Sequence, residues 1–220
     1  MAVTEVVFLE STAETITDEF RSVLNEAQTI QDAWVEASFP GQITAATKWQ
    51  EIERPNHLLI TQNWPETSQQ RVWGASEEGR SGHVKIMSHI ALEGQRPKAE
   101  KFHVEGEIFA SSQEPNRIQL SDSPVISVGR HTVSSDNKEA FMAKFNEVKW
   151  VVQDYAKPYV VKGGWRIEKD AEANEEWLLF IGWPTVQAHK DFAQSPNFSK
   201  YREISELVIG FDVWHYQKIQ

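Results

Sequence analysis

The chain has 220 residues, 40% of them hydrophobic, and its formal net charge at pH 7 is -10. A negative charge repels nucleic-acid phosphates and anionic lipid headgroups, so we expect neither a nucleic-acid partner nor a membrane partner. The chain has no cysteine, which excludes a thiolate nucleophile, a disulfide framework and a cysteine metal site. The apolar runs are too short to span a membrane and the first residues show no signal-peptide pattern, so we expect a cytoplasmic location.

The first half of the chain is predicted to recur in the second half. The segment at 58–65, LLITQNWP, recurs at 178–184 as LLFIGWP, with one residue dropped. Upstream, an apolar helical pattern recurs at a constant separation of 121 positions, pairing Phe20, Leu24, Ala27, Ile30 and Trp34 with Phe141, Phe145, Val148, Val151 and Tyr155. We therefore predict a repeat at 1–110, a polar linker at 111–123 and a second repeat at 124–220.

Both repeats are predicted to contain the same elements in the same order, β-α-β-β-α-β. β-Branched runs at 6–9 and 125–128 predict the first strands, and an amphipathic helix follows each of them. In the second repeat, this helix is expected to start at a capping box of Asp136 and Glu139 and to end before Pro158. The remaining strands are expected at 43–52, 57–63, 102–109, 160–168, 176–182 and 209–217.

This element order predicts an α+β fold built from two ferredoxin-like repeats, each a four-stranded antiparallel sheet with helices on one face. A sheet covered on one face still has a second face to bury. We therefore expect the two sheets to pack face to face as an α+β barrel within one chain. This arrangement predicts a monomer that is a pseudo-dimer, and a homodimer is the alternative.

The segment 178–198 resembles a known family signature. It contains an apolar strand ending in Trp183, a helix with His189 and Phe192, and then Ser-Pro-x-Phe. The chain is thereby similar to antibiotic-biosynthesis-monooxygenase (ABM) domains of the dimeric α+β barrel superfamily. Members of that superfamily include cofactor-independent oxygenases of polyketides, haem-degrading monooxygenases, cyclases, isomerases and small stress proteins, so the resemblance alone does not choose a reaction.

The first repeat also resembles the haem-degrading members. Their pattern has a strand-terminal Trp, a helix Trp nine positions later and an axial His ten positions beyond it, matched here by Trp64, Trp73 and His83. The resemblance implies that His83 and Trp73 bind haem if haem is the cofactor, although the family's strand-one Asn is absent from 6–11. We expect the helix of His83 to start near Gly79 and Gly82. The competing interpretation is an interior histidine beside a core tryptophan.

Histidine is the natural proton acceptor near neutral pH, and the seven histidines of the chain supply the candidates for a general base. We favour His131 and His215 as catalytic residues because they lie in strands of the better-matching repeat. His189 is expected to pack or to cap its helix. Aromatic and polar-aromatic side chains are expected to bind substrate, namely Trp49, His103, Trp165 and Trp183. No metal site is expected.

The leading functional hypothesis is a cofactor-independent monooxygenase, or a cyclase or isomerase. Its substrate would be a small hydrophobic aromatic or polyketide-like molecule held in the barrel cavity, since such a molecule needs only a dry pocket and one placed base. One alternative is a haem-binding or haem-degrading monooxygenase that uses His83 and Trp73. The other alternative is a non-catalytic, stress-type ligand-binding protein.

Overall fold

A computed structural model describes residues 1–111, 116–169 and 174–219. The chain divides into two compact units, Met1–Ala110 with Lys218–Gln220 (unit 1) and Ser111–Gln217 (unit 2). Each unit contains a four-stranded antiparallel sheet with helices, in the chain order β-α-β-β-α-β. The α+β class and the ferredoxin-like repeats are thereby confirmed.

Unit 1 has the strand order β6-β1-β3-β2, and every neighbouring pair is antiparallel. Its first helix begins after Thr17, whose side chain accepts a hydrogen bond from the Phe20 amide. The elements are β1 (Val3–Glu10), α1 (Asp18–Ser38), β2 (Thr47–Glu51), β3 (His57–Trp64), α2 (Thr67–Ala75), α3 (Glu77–Met87), a small hairpin of β4 (Leu92–Glu93) and β5 (Arg96–Pro97), and β6 (Ala99–Glu105).

Unit 2 has the equivalent strand order β10-β7-β9-β8. Its elements are β7 (Val125–Val133), α4 (Lys138–Tyr155), β8 (Val161–Trp165), β9 (Glu175–Trp183), α5 (Val186–Phe192), α6 (Phe198–Arg202) and β10 (Gly210–Lys218). The expected capping box does not form. Residues Ser135–Asn137 make a 3₁₀ turn that leads directly into α4, and Asn137 precedes the helix without a side-chain cap bond.

Two strands of unit 1 differ from the expected bounds because the backbone turns left-handed beside them. Ala45 has a φ of 49°, so β2 begins at Thr47 instead of position 43. Gly106 has a φ of 85°, so β6 ends at Glu105 and does not reach position 109. Extended strands require negative φ, so either conformation ends the strand.

The strand register corrects one detail of the repeat. Trp49 pairs with Leu59, whereas the corresponding strand pair of unit 2 is Gly164 with Leu178. Trp49 therefore occupies the position of Gly164 and not that of Trp165, although both tryptophans lie in the second strand of their units. Because side chains alternate along a strand, the two tryptophans lie on opposite faces of their own sheets.

Aromatic rings fill the layer between helices and sheet in unit 2. Trp177 lies 5.2 Å from Trp165 and 5.4 Å from Phe145, measured between ring centroids. Phe141, Trp183 and Phe192 belong to the same buried cluster. The corresponding cluster of unit 1 is smaller and mainly aliphatic, formed by Leu9, Ile16, Phe20, Leu24, Leu58, Ile90 and Ile219.

Candidate functional site: a cavity in unit 1

A cavity of about 530 Å³ lies between the sheet of unit 1 and helices α1, α2 and α3. Small-molecule sites typically have volumes of roughly 300–1,000 Å³, so the cavity has the size of a ligand site. Its apolar lining includes Val7, Leu9, Leu24, Ala27, Ile60, Ile86 and Met87. Its polar lining consists of Glu5, Gln28, Gln31, Lys48, Gln62, Gln70, Arg80, His83 and Lys101.

Glu5 forms the polar floor of the cavity. The residue is 2% exposed, and its Oε1 accepts a hydrogen bond from Gln70 Nε2 at 2.9 Å. Its Oε2 accepts hydrogen bonds from Trp64 Nε1 at 3.1 Å and from Gln62 Nε2. Lys101 Nζ lies 3.7 Å from Oε1. A buried carboxylate is tolerated where such donors satisfy its oxygens, so Glu5 is a fixed part of the wall.

His83 and Trp73 both line the cavity. Helix α3 begins at Glu77, where Ser76 accepts a hydrogen bond from the Gly79 amide, so the expected start near Gly79 and Gly82 is wrong. His83 consequently lies in the middle of α3, away from the positive end of the helix dipole. The side chain of His83 is exposed, so its interpretation as an interior histidine is wrong. Within the described residues, its imidazole has no hydrogen bond to the protein. Trp73 packs against Trp34, with 5.3 Å between ring centroids.

The charge of the cavity is opposite to that of the chain. Three cationic side chains, Lys48, Arg80 and Lys101, line it against the single carboxylate of Glu5. Lys48 donates a hydrogen bond from Nζ to Asn25 Oδ1 at 2.5 Å, and burial lowers the pKa of its ammonium group. In a chain with a net charge of -10, this is a local excess of cations, and its electrostatics would suit an anionic group better than a cationic one.

Unit 2 has an equivalent network around Trp183. Trp183 Nε1 donates to Ser127 Oγ at 2.8 Å, as Trp64 does to Glu5 in unit 1. His189 follows Trp183 by six positions, as Gln70 follows Trp64. The imidazole of His189 stacks on Trp183 at 4.7 Å, and its Nδ1 lies 2.7 Å from His215 Nε2. His189 therefore packs as expected, and it also makes a hydrogen bond to His215 that the sequence patterns did not indicate.

His131 lies four residues along β7 from the position opposite His215. Its ring is 4.7 Å from that of Phe211, and its Nδ1 is 3.3 Å from the Trp177 carbonyl oxygen. Burial lowers the pKa of His131 to about 4. The imidazole is therefore neutral at pH 7 and is a weak base there.

The four residues expected to bind substrate lie elsewhere in the described structure, outside the lining of this cavity. Trp49 is fully buried and donates from Nε1 to Thr61 Oγ1 at 3.2 Å. His103 pairs with Glu5 across β1 and β6, while Trp165 and Trp183 belong to the aromatic cluster of unit 2. Sequence reasoning missed Glu5, Gln31, Lys48, Gln62 and Gln70, since they form no recognisable motif. The one signal in the sequence was Gln31, a polar residue at a core-facing position of α1.

Two negative findings concern the described ranges 1–111, 116–169 and 174–219. No group of three or more histidine, aspartate or glutamate side chains there is arranged to hold a metal ion. Among the helices of these ranges, none has the length and apolar character needed to cross a bilayer.

Comparison with solved structures identifies the fold. A provisionally named monooxygenase of Fusobacterium nucleatum is similar over 100% of this chain and 93% of its own, with a TM-score of 0.63 and 10% identity. An anthrone oxidase-like protein matches over 100% and 92%, with a TM-score of 0.63 and 13% identity. A haem-binding protein of Thermus thermophilus matches over 100% and 91%, with a TM-score of 0.56 and 13% identity.

At these identities the similarity shows the fold alone, an α+β fold that the chain shares with proteins named as a monooxygenase, an anthrone oxidase-like protein and a haem-binding protein. No protein-family profile and no curated protein sequence matches the chain. The reaction and the ligand must therefore be argued from the chain's own residues.

Proposed function

We propose that the chain is a haem-binding enzyme of the monooxygenase type and that the cavity of unit 1 holds the haem. The proposal rests on one observation: His83, with no hydrogen bond to the protein in the described structure, lines a cavity of about 530 Å³ beside Trp73. The names of the fold neighbours support a monooxygenase or haem-related function at a coarse level.

The residues of the cavity fit a haem group. A neutral imidazole is a common iron ligand, and both ring nitrogens of His83 are free of protein partners in the described structure. Aliphatic side chains such as Leu24, Ile60 and Met87 suit a macrocycle, and the cations suit its carboxylates. Glu5 lines the cavity from strand β1, but its oxygens are already occupied by protein donors.

When bound, haem would supply one-electron and dioxygen chemistry. The chain's own contribution would be to bind and orient. His83 would hold the iron, Trp73 would flank the ring, and the aliphatic lining would contact its apolar surface. The Glu5 network would keep the floor of the cavity rigid, because three side-chain donors fix its carboxylate.

A hemin titration tests this proposal. We expect a shift of the hemin Soret band that saturates at one hemin per chain, and we expect His83→Ala to abolish this shift. The fold should persist because His83 is exposed and alanine is a strong helix former. His57→Ala is the matched control, because His57 lies outside the cavity lining at the start of β3. A hemin spectrum that the wild-type protein leaves unchanged would refute haem binding. An unchanged shift in His83→Ala would exclude His83 as the ligand.

A second candidate is the cofactor-independent monooxygenase, cyclase or isomerase that acts on a small hydrophobic aromatic or polyketide-like molecule. The His189–His215 hydrogen bond beside Trp183 favours it, because linked imidazoles can accept and pass on a proton. Removal of a general base lowers the rate by about 10²–10⁴. With a substrate in hand, a loss of less than about tenfold in both His131→Ala and His215→Ala, at matched melting temperatures, would rule out these bases.

Binding of hemin or of an aromatic ligand without turnover would indicate the third candidate, a non-catalytic ligand-binding protein.

We also propose that the two units are ABM-like repeats, 1–110 and 124–220, joined by a linker at 111–123. The chain is expected to be a monomer of 25.2 kDa, which light scattering after gel filtration would check against a homodimer.

A further inference from the structure

Helix α1 carries a polar residue in its buried stripe. Its buried residues are Phe20, Leu24, Gln31 and Val35, whose spacing places them on one face of the helix. Three of them are apolar and pack in the core, as such a stripe predicts. Gln31 is the exception: it is 6% exposed, and its side chain reaches the cavity.

The amide of Gln31 has no partner in the described structure. Its Nε2 is buried and makes no hydrogen bond. A buried N–H donor without an acceptor destabilises a protein, and such groups are rare in native structures. Glu5 has the one carboxylate among the described residues that line the cavity, but Gln62, Trp64 and Gln70 already donate to it. A ligand oxygen would satisfy Gln31.

Lys48 provides a cation that faces the same cavity. It lies on β2, half-buried, and its Nζ reaches α1, where it donates to Asn25 Oδ1. Burial lowers the pKa of Lys48, and the Asp32 carboxylate acts in the opposite direction. A ligand anion in contact with the ammonium would compensate for the hydration that burial removes. β2 is two strands away from β1 in the sheet of unit 1, about 10 Å from the strand of Glu5.

We propose that Gln31 and Lys48 form a carboxylate-recognition subsite, so that the ligand of this cavity is a flat apolar molecule bearing at least one carboxylate. A carboxylate has two oxygens for two donors, the amide of Gln31 and the ammonium of Lys48. Repulsion by Glu5 keeps the anionic group away from the floor of the cavity. The inference rests on the proposed function only in that the cavity of unit 1 is the ligand site.

A pair of metal-free porphyrins tests the subsite without involving His83. Protoporphyrin IX has two carboxylates, and its dimethyl ester has the same ring without the charge. We expect the wild type to bind the acid about tenfold more tightly than the ester, as measured by porphyrin fluorescence. Gln31→Leu or Lys48→Met should remove that preference by lowering the affinity for the acid. Gln31→Glu should reject the acid and still bind the ester, since it adds a like charge.

Matched controls exist in unit 2, where Gln187→Leu and Lys144→Met remove the same side-chain types from the surface. Both should bind the two porphyrins as the wild type does. Equal binding of acid and ester, unchanged acid binding in Gln31→Leu, or no binding of either probe would overturn the subsite. The hemin titration with His83→Ala decides the haem function separately. A carboxylate preference without a His83-dependent Soret band would support the subsite and refute haem ligation.

Discussion

Replacement of Gln31 by leucine is expected to stabilise the ligand-free protein. The wild type buries an amide N–H that has no partner in the described structure. An unsatisfied buried polar group costs about 1–3 kcal/mol, and leucine removes that cost while extending the apolar stripe of Leu24 and Val35. Because the cavity lies beside the site, leucine can enter without overpacking. We expect the free energy of unfolding to rise by about 1–2 kcal/mol.

Urea unfolding followed by circular dichroism, without ligand, measures this change. For a chain of this size the melting temperature should rise by about 2–4 °C for each kcal/mol. Gln28→Leu, one turn earlier in α1, is the control: its Nε2 donates to Asp32 Oδ1 at 2.7 Å on the surface. That variant should change the unfolding free energy by no more than about 0.5 kcal/mol.

The opposite result would be equally informative. A loss of stability in Gln31→Leu would mean that the amide is hydrogen-bonded in the ligand-free protein, and the argument for an unsatisfied donor would fail. A gain in stability together with weaker porphyrin binding is the pattern of a residue kept for function.

Three further perturbations test the local physics. Glu5→Gln should lower the unfolding free energy by about 1.5–3 kcal/mol, because an amide cannot accept from every donor around it, whereas the partly exposed control Glu10→Gln should cost less than about 1 kcal/mol. His131 has its pKa lowered from 6.5 to about 4 by burial, so the unfolded chain takes up the proton first as the pH falls. The contribution of neutral His131 to the free energy of unfolding is complete above about pH 6.5 and decreases towards pH 4, with about 2 kcal/mol lost at pH 5. Urea titrations at pH 7.5 and 5 measure this loss, and His131→Gln should not show it. Gly163→Ala should destabilise by about 1–3 kcal/mol in thermal melts, since its Cβ would lie 2.7 Å from the Trp177 ring, and an unchanged melting temperature would contradict this close packing.

The haem-type spacing illustrates how far sequence reasoning reached towards the site. Trp73 and His83 were singled out by their separation, and the structure places both on the lining of one cavity. The remaining lining residues come from separate elements: Glu5 lies on β1, Gln62 on β3 and Gln70 on α2. No short-range pattern links residues that are 57 and 65 positions apart, so their convergence could not be predicted.

The sequence by itself determined the order of elements. Hydrophobic periodicity, proline positions and Trp-Pro strand ends are local properties, and they located α4 by the spacing of Phe141, Phe145 and Val148. Only the tertiary structure decided the register of β2 and β8, which separated Trp49 from Trp165, and only it opened a cavity in unit 1 where unit 2 has rings. Register and cavity volume depend on contacts between distant segments. A register shift of one residue moves every side chain of a strand to the other face of the sheet. In a close-packed interior, one aromatic ring can fill the space that a ligand would occupy.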